Sequence, residues 1–363
     1  MTPGKCSFSQ IMSIFAPQLH TAMKKFVLTL ITVLLLLPEV QSQTLYFDRI
    51  DIKDGLSQNT VTAIIQDSRG FMWFGTKDGL NRYDGTHFKV FRHFPYDKTG
   101  LGNNNIRSLA EGPDNSIWIG TNSGLFVYDT EYDRFSEVEI LDSGGAAVHS
   151  PVLALKRDSS DRIWISVEAY GIYCYDPAKD KAECRYSSKN PISTLAVDER
   201  TGALWFSWAS GGLYRTEDDF TTVSPYLLNN GNKVYPEDVI TFIDVNDYGR
   251  IYIGLEKGGL AELERKTGEI HHVRLANGPL FVRCILKYSP DELWIGTETG
   301  LYIYNTRTRT RECLTNSMSD QYSLSDNAIH SICKDKDGGI WLGTFFGGIN
   351  YLPKRNPDFR KYY

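Results

Sequence analysis

Cysteine is scarce in this chain, whose 363 residues contain six. Five of them follow residue 42, and no two cysteines are spaced as Cys-x-x-Cys. An odd number without that spacing excludes a simple disulfide framework and a zinc knuckle. Cys174 and Cys184 flank a short turn and could face each other across a hairpin. A single disulfide there and buried free thiols are therefore both open.

The chain also lacks the short motifs typical of enzymes. It has no Gly-x-Ser-x-Gly elbow, no His-Glu-x-x-His pair and no glycine-rich loop of the kind that cradles phosphate. His271 and His272 are adjacent, so in a strand their side chains would point to opposite faces and make a poor metal pair. We therefore predict no catalytic residue, no metal and no cofactor for this chain.

An excess of positive charge is missing as well. Lys and Arg number 39 against 44 Asp and Glu, which gives a formal net charge of −5. The basic residues form no patch along the sequence. This balance argues against direct binding to nucleic acid.

Long apolar runs are confined to the beginning of the sequence. Met23 and two lysines precede the run 26–37, and small or β-branched residues stand before Gln43, as in a cleaved signal peptide. Twelve apolar residues form about 18 Å of helix, which is shorter than a hydrocarbon core of roughly 30 Å. We expect residues 1–42 to be a leader, with Met23 as a candidate start, and residues 43–363 to be exported. An uncleaved anchor is the alternative.

The dominant feature of the sequence is a repeat that returns seven times. It consists of a polar turn, then apolar-aromatic-apolar-small, then a Gly-Leu or Gly-Ile pair. Successive aromatic anchors are 41 to 47 residues apart, a period typical of propeller blades. We predict an all-β, seven-bladed β-propeller of four-stranded antiparallel blades over residues 43–363. Its anchors, expected to be core wedges between blades and not sugar platforms, are Trp73, Trp118, Trp164, Trp205, Tyr252, Trp294 and Trp341.

Each part of the repeat has a physical reason. Glycine, asparagine or aspartate stands three residues before every anchor, and these residue types tolerate the positive φ of a tight turn. The small residue two places after the anchor allows close approach near the axis of the ring. Asp67 and Asp335 are expected to form the turns between strands and to take no part in chemistry.

A closed ring requires a fourth strand for its last blade, because an open sheet edge invites aggregation. Residues 45–50 have the phase of an outer strand without a blade of their own, so they are available for this role. Residues 359–363 also have an outer-strand pattern, and one of the two segments is redundant. The second segment indicates a chain that continues into further structure.

Two stretches of the sequence carry a resemblance to a known family. Residues 57–85 contain Ser-Gln-Asn-Thr-Val, then Asp-Ser-Arg-Gly-Phe-Met-Trp-Phe-Gly-Thr, then Asp-Gly-Leu-Asn-Arg-Tyr-Asp-Gly, and residues 325–350 follow the same pattern. These stretches closely resemble the two-component regulator propeller repeat, and the resemblance extends over residues 44–363. The chain is similar to the N-terminal sensor portion of hybrid two-component systems of gut Bacteroides and relatives.

The resemblance implies a periplasmic location and a set of partners. In that family two propellers and a small β-sandwich precede a membrane helix, a histidine kinase, a receiver and a DNA-binding domain, and the inducers are commonly polysaccharide breakdown products. This chain holds one propeller and lacks the later parts, so it is expected to be a truncated sensor without kinase activity. Its expected ligand is an oligosaccharide or another small molecule. The second propeller and the kinase portion are its missing partners, and the membrane is reached only through the absent helix.

Ligand-binding residues are expected on one face of the ring. In an up-and-down blade, the loop that enters the first strand and the loop between the second and third strands lie on the same face. Residues at these loop tips differ between blades while the frame repeats, which favours a functional role. They mix aromatic and polar side chains, as suits a glycan. The candidates are Trp208, Tyr170, Phe345, Phe346, Glu168, Glu256, Lys257, Glu298, Lys77, Asn122 and His149.

Three other interpretations stay open from the residues alone. A secreted propeller lyase or glycan hydrolase would act through Glu168, Glu256 and Glu298 if two carboxyl groups lay about 5–10 Å apart. A protein-interaction platform would use the same face, although the Trp-Asp signature of WD repeats is absent. In a two-propeller sensor, the loop aromatics would instead form the interface with the second propeller.

Overall fold

Seven four-stranded antiparallel sheets follow one another along the chain, one for each sequence repeat. They are seen in a computed structural model that describes residues 45–97, 99–217, 220–226 and 238–354. First strands of neighbouring sheets contact each other in sequence order, and those of the first and seventh sheets also touch, so the sheets close into a ring. The predicted seven-bladed β-propeller is confirmed. The predicted leader, residues 1–42, lies outside the described residues.

The strands are numbered β1 to β28 in chain order, and each sheet is one blade. Blade 1 contains β2 (Val61–Gln66), β3 (Met72–Thr76), β4 (Gly79–Tyr83) and β5 (Phe88–Phe91), and blade 2 contains β6 (Ile106–Glu111), β7 (Ile117–Thr121), β8 (Gly124–Asp129) and β9 (Arg134–Val138). Blade 3 contains β10 (Val152–Arg157), β11 (Ile163–Val167), β12 (Gly171–Asp176) and β13 (Lys181–Ser187), and blade 4 contains β14 (Ile192–Val197), β15 (Leu204–Trp208), β16 (Leu213–Thr216) and β17 (Ser224–Pro225). Blade 5 contains β18 (Ile240–Asp244), β19 (Arg250–Leu255), β20 (Leu260–Glu264) and β21 (Ile270–Val273), and blade 6 contains β22 (Val282–Ser289), β23 (Glu292–Thr297), β24 (Leu301–Asn305) and β25 (Arg311–Leu314). Blade 7 contains β26 (Ile329–Lys334), β27 (Ile340–Thr344), β28 (Ile349–Leu352) and β1 (Asp48–Ile50).

The closure of blade 7 joins distant parts of the chain. β1 pairs antiparallel with β28, with Arg49 opposite Asn350. The Arg49 guanidinium also donates to the carbonyl oxygens of Ser323 and Asp320 at 2.9 and 3.1 Å, and Phe47 is 2% exposed. Of the two segments with an outer-strand pattern, the first completes the blade. The second, residues 359–363, lies outside the described residues.

The second strand of each blade is the most buried part of the sheet, because it lies between two strands of its own sheet and between neighbouring blades. All five residues of β3, β7 and β27 are buried. A strand covered on both faces is expected to have a continuous apolar run, as these have. All seven anchors are buried, and none is more than 6% exposed.

Buried carboxylates fix three of the tryptophans. In blade 1 the indole Nε1 of Trp73 donates to Asp67 Oδ2 at 2.9 Å, while Asp67 Oδ1 accepts the backbone N–H groups of Arg69 and Phe71. The same tie joins Trp164 to Asp158 and Trp341 to Asp335. One aspartate therefore shapes the turn and also satisfies the buried indole, which would otherwise lose a hydrogen bond inside the core.

Blade 4 departs from this arrangement because its turn is one residue longer. Asp198 stands seven residues before Trp205, and the indole Nε1 of Trp205 is buried without an acceptor among the described residues. The Asp198 carboxylate instead accepts Arg265 Nη1 of blade 5 at 2.9 Å. The tie within one blade is replaced by an ion pair between two blades.

The turns before the anchors follow the prediction in five blades and depart from it in two. Gly70, Asn115, Asp161, Gly202 and Gly338 all have positive φ. The expectation is wrong for Gly249 and Asp291, which lack positive φ. In blade 5 the Asp247 side chain shapes the turn by accepting the N–H groups of Gly249 and Arg250, and in blade 6 a register shift after Lys287 changes the path of the strand.

Hydroxyl groups join neighbouring blades near the axis. Between blades 1 and 2, Thr62 Oγ1 donates to the carbonyl oxygen of Ile106 at 2.8 Å. Ser108, Ser166, Ser193, Thr241 and Ser331 make the corresponding bond at five further seams. The predicted close approach beside the anchors is confirmed: a Cβ placed on Gly343 would lie 2.7 Å from Val61 Cγ1 of the next blade.

The disulfide between Cys174 and Cys184 does not form. Cys174 stands opposite Glu183 and Cys184 stands opposite Tyr173, so the two cysteines are offset by one position. Successive strand residues point to opposite faces of a sheet. Cys174 is buried and Cys184 is exposed, and both are free thiols. No helix within the described ranges is long and apolar enough to cross a membrane.

Candidate functional site

The predicted candidates share one face of the ring. In every blade the residue that follows the second strand donates its backbone N–H to the segment that enters the first strand, as in Lys77 to Thr60, Glu168 to Pro151 and Phe345 to Ala328. These bonds bring both kinds of loop together. We call this side of the ring the loop face.

A β-bulge interrupts the first strand of every blade close to the loop face. The register shifts at its second residue in all seven sheets. Bulges redirect side chains and are frequent beside functional sites. The backbone feature repeats around the axis, but the residue at it differs from blade to blade: Thr62, Arg107, Leu153, Ser193, Thr241, Arg283 and His330.

Blades 6, 7 and 1 bring two of these bulge residues together with four of the predicted candidates. Phe345 lies at the centre, with its ring 5.0 Å from the His330 ring and 4.4 Å from that of Phe346. Lys77 Nζ of blade 1 lies 4.3 Å from the centroid of the Phe345 ring. On the blade 6 side, His330 Nε2 lies 3.7 Å from Glu298 Oε1.

Arg283 completes this group. Its guanidinium pairs with Glu298 at 2.5 Å and lies 4.0 Å from the centroid of the Phe281 ring. We call Lys77, Arg283, Glu298, His330, Phe345 and Phe346 the Phe345 cluster. It combines two exposed or half-exposed aromatic rings with charged groups of both signs, and it spans three blades.

Backbone contacts hold the cluster in place. Thr60, which is 2% exposed, donates its hydroxyl to the carbonyl oxygen of Phe345 at 2.5 Å. The Asp326 carboxylate accepts the N–H of Phe346 at 2.8 Å. The Phe345–Phe346 turn is therefore tied to blade 1 on one side and to its own entering loop on the other. Such a preformed turn loses little conformational freedom when a ligand binds.

The cluster shifts the pKa of its histidine. The His330 side chain is 15% exposed, and burial lowers the pKa of His330 below 6.5. Nearby Arg283 and Lys77 lower the pKa further, while Glu298 and Asp326 oppose this. Protonation would place a third positive charge beside Lys77 and Arg283.

This shift predicts a pH-dependent stability. Because the pKa of His330 is lower in the folded chain, the unfolded chain binds its proton first as pH falls through about 6.5. Stability is therefore lost below that pH, until the folded protein is protonated as well. We expect His330→Gln to flatten the decline of the free energy of unfolding between pH 7.5 and 5, measured by urea unfolding. His271→Gln, at an exposed histidine, should keep the wild-type slope, and an equal flattening by both variants would contradict the assignment to His330.

The remaining predicted candidates do not join the Phe345 cluster. Trp208 is the last residue of β15 and packs against Tyr214 and Tyr186 of its own sheet and the adjacent one, with ring centroids 3.9 and 6.4 Å away. Its indole nitrogen is buried without an acceptor among the described residues. Tyr170 is 36% exposed on blade 3. Trp208 is thus a partly buried packing residue as well as a candidate for binding.

Five polar candidates are held by local contacts or stand apart. The Asn122 side chain accepts a hydrogen bond from Arg107 Nε at 2.7 Å. His149, in the loop that enters blade 3, lies 3.2 Å from Glu137 of β9 in blade 2. Glu168 and Glu256 lie on blades 3 and 5, two blades apart from each other. Lys257 is exposed beside Glu256. Their role in binding stays a prediction.

Sequence reasoning missed Arg107, Arg283 and His330 because it examined loop tips only. The signal that could have identified them is the one used for the loop tips: the residue type at this position differs between blades while the surrounding repeat stays the same. These residues stand second in the first strand of their blades. If side chains alternated strictly between the two faces of the sheet, these residues would not be expected near the axis of the ring. The bulge interrupts that alternation.

One group of side chains has the composition of a metal site. Ligand atoms of Glu264, Glu269 and His271 lie within 4.8 Å of one another on the hairpin between β20 and β21, on the side opposite the loop face. Two of the three are exposed. Exposed groups of this kind are common without a metal, and nothing else at this hairpin indicates one.

Comparisons with known proteins agree with the repeat pattern. Residues 55–78, 100–123 and 323–346 match the family described as two component regulator propeller. A 61-residue segment is 44% identical to Histidine kinase P4 of Formosa agariphila, which amounts to 17% of this chain and 4% of that protein. The chain therefore spans a small part of this curated relative.

Solved structures extend the likeness to the whole ring. The extracellular domain described as part of the hybrid two component system BT3049 from B. thetaiotaomicron is 27% identical with a TM-score of 0.73, over 85% of this chain and 42% of that one. The extracellular domain of BT4673 from the same organism is 23% identical with a TM-score of 0.70, over 86% and 40%. A streptogramin B lyase is 17% identical with a TM-score of 0.61, over 85% and 97%. The last two show the fold alone.

The fold and the loop face together define the structural class of this protein. It is a seven-bladed β-propeller with a cluster of polar and aromatic side chains on one face that does not repeat from blade to blade. Within that class, the chain contains two-component regulator propeller repeats, as its sequence resemblance predicts. It covers less than half of the solved extracellular domains that it resembles.

Proposed function

We propose that this chain is the ligand-binding propeller of a hybrid two-component sensor and that it carries no catalytic activity of its own. The match to two-component regulator propeller repeats and the likeness to an extracellular sensor domain support this role. A second propeller, a membrane helix and a histidine kinase would be the partners that convert binding into a signal. The leader predicted over residues 1–42 would direct the propeller to the periplasm.

We further propose that the loop face binds an oligosaccharide at the Phe345 cluster. The observation that carries this proposal is the placement of Phe345 and Phe346 among Lys77, His330 and Glu298 across three blades. Aromatic rings stack on the apolar faces of sugar rings, while charged side chains offer donors and acceptors to hydroxyl groups. A residue that the blade structure required would recur in every blade. The other blades have different residues at these positions, so the blade structure does not explain this combination.

The experiment is a binding screen of the full chain against neutral and acidic oligosaccharides from partial polysaccharide hydrolysis, read by isothermal titration calorimetry. We expect a bound oligosaccharide whose affinity falls by about tenfold or more in Phe345→Ala, because truncation of an aromatic residue at the centre of a binding site weakens binding by on the order of 2 kcal/mol. Tyr132→Ala removes an exposed ring from the opposite side of blade 2 and serves as the matched control. Unchanged affinity in Phe345→Ala would contradict the site.

The same samples test the alternatives. A sensor returns the oligosaccharide intact, whereas a lyase or hydrolase shortens it, which mass spectrometry of the recovered ligand detects. If nothing in the screen binds but a second propeller domain does, the loop-face aromatics form a domain interface. Either result would replace the glycan proposal.

A further inference from the structure

The loop face also carries a concavity, which is distinct from the Phe345 cluster. It lies where the loop between β19 and β20 meets the loop between β21 and β22, and its volume is about 320 Å³. Lys257, Gly258 and Gly259 form one wall, and residues 272–280 form the rest. We call it the blade 5–6 pocket. Small-molecule sites have volumes from about 300 to 1,000 Å³, so this one suits a single small ligand and not a chain of sugar units.

The pocket is preformed by contacts from three directions. Leu280 donates its N–H to the carbonyl of Lys257 at 2.9 Å and accepts the N–H of Gly259 at 3.1 Å. The Asp238 carboxylate accepts the N–H of Gly258 at 2.7 Å. From blade 6, Arg311 Nε donates to the carbonyl of Leu275 at 2.8 Å. Both walls are therefore tied down without a ligand.

The charge of the lining is one-sided. Among the described residues that line it, the ionisable side chains are those of Lys257, His272 and Arg274, and none of these lining residues carries a carboxylate, although the whole chain has a net charge of −5. In the described part of the chain, neither the Lys257 ammonium nor the Arg274 guanidinium has an ion-pair or hydrogen-bond partner. The nearby Asp238 carboxylate is engaged by backbone N–H groups. Two positive charges thus remain available for an anion.

The floor of the pocket and its backbone narrow the class of ligand. Leu275 and Leu280 are 4% and 3% exposed and line it with Val273, which provides an apolar surface. The N–H groups of Ala276, Asn277 and Gly278 have no acceptor within the described residues and add neutral donors to the lining. An apolar surface beside two cations and several donors matches a sugar ring that carries a carboxylate.

We propose that the blade 5–6 pocket binds a carboxylate-bearing sugar unit, a uronic acid, through Lys257 and Arg274. This deepens the ligand-binding function proposed above and rests on it, since it assigns an acidic unit to the ligand and a second subsite to the loop face. The carboxylate pairs with the Arg274 guanidinium and the Lys257 ammonium, and the ring packs over Leu275 and Leu280.

The test uses the full chain with three probes: glucuronic acid, glucose and acetate. Binding is followed by nuclear magnetic resonance shift changes of the blade 5–6 loops and by titration calorimetry. Glucuronic acid is expected to bind, and its affinity should fall by about tenfold or more in the double variant Lys257→Gln/Arg274→Gln, because each charged hydrogen bond contributes on the order of 1.5–3 kcal/mol. Lys53→Gln/Lys189→Gln removes two exposed charges from other loops and should leave the affinity unchanged.

Several outcomes would overturn the proposal. Equal binding of glucose would remove the role of the carboxylate, and equal binding of acetate would remove the role of the sugar ring. No binding of glucuronic acid, or an equal loss in the control variant, would remove the site itself. Oligosaccharide binding that is abolished by Phe345→Ala but unaffected by Lys257→Gln/Arg274→Gln would keep the proposed function and reject the acidic subsite. Since Lys257 and Arg274 are exposed, thermal unfolding should be unchanged in the variant.

Discussion

Trp73→Ala should lower the free energy of unfolding by about 3–5 kcal/mol, the largest effect that we expect from a single substitution in this propeller. Trp73 is 0% exposed. Its ring lies 5.4 Å from that of Tyr128 in blade 2 and 6.0 Å from that of Phe91 in its own blade. Truncation therefore removes packing within one sheet and across a seam at once.

The loss of the indole adds a polar cost to the cavity. The Asp67 carboxylate, also 0% exposed, would lose the N–H donor of Trp73 and keep only its two backbone donors. A buried charged group that loses a hydrogen bond is destabilising by on the order of 1–3 kcal/mol. Trp73→Phe should restore part of the packing but not the bond, so its stability should lie between those of wild type and Trp73→Ala.

Urea unfolding followed by circular dichroism is the measurement for this series. Tyr96→Ala, at a tyrosine that is 98% exposed, controls for the loss of an aromatic ring as such and should change stability by less than about 0.5 kcal/mol. Wild-type stability in Trp73→Ala would show that the anchors are not wedges of the core.

Phe47→Ala should have the second-largest effect, because it loosens the strand that closes the ring. Phe47 precedes β1, is 2% exposed and donates its N–H to the carbonyl of Tyr322. Loss of its side chain removes about 3–5 kcal/mol of core packing and weakens the pairing of β1 with β28. Exposed edges of sheets pair with other chains, so we also expect self-association at high protein concentration.

The neighbouring residue provides the control. Tyr46 is 50% exposed and contacts Tyr322 edge-on, with ring centroids 5.3 Å apart. Tyr46→Ala should lower thermal stability slightly and leave the elution volume in size-exclusion chromatography the same as that of wild type. If Tyr46→Ala and Phe47→Ala behave alike, the closing strand does not depend on the burial of Phe47.

The fold could be predicted from the sequence because its cause is repeated seven times. Every blade has an aromatic anchor, a small residue two places later and a third strand that begins at or just after a glycine. A misread position in one repeat therefore does not change the predicted number of blades. The structure departs from prediction where a turn is built in another way. At Gly249 the turn is shaped by a hydrogen bond to the Asp247 side chain and not by a positive φ. The spacing of residues in the sequence does not distinguish these two kinds of turn.

The candidate site could be predicted only in part. Lys77, Glu298, Phe345 and Phe346 stand at loop tips, where variation between repeats is visible. His330 and Arg283 stand inside strands, and only the bulge brings them to the cluster. The position of such a bulge depends on backbone hydrogen bonding between the strands, and the residue types at that position are a weak indication of it. Trp208 follows the loop pattern in sequence and also packs against Tyr214, so its role in binding stays a prediction.

The pairing of β1 with β28 also determines the order in which the molecule can be completed. Among the strands of the described residues, β1 is synthesised first and its partner β28 last. During synthesis or export six blades can assemble from neighbouring segments, whereas blade 7 must wait until both strands are present. A chain shortened before β28 would expose unpaired edges and become a substrate for chaperones and proteases. Closure of the ring therefore depends on the presence of both β1 and β28.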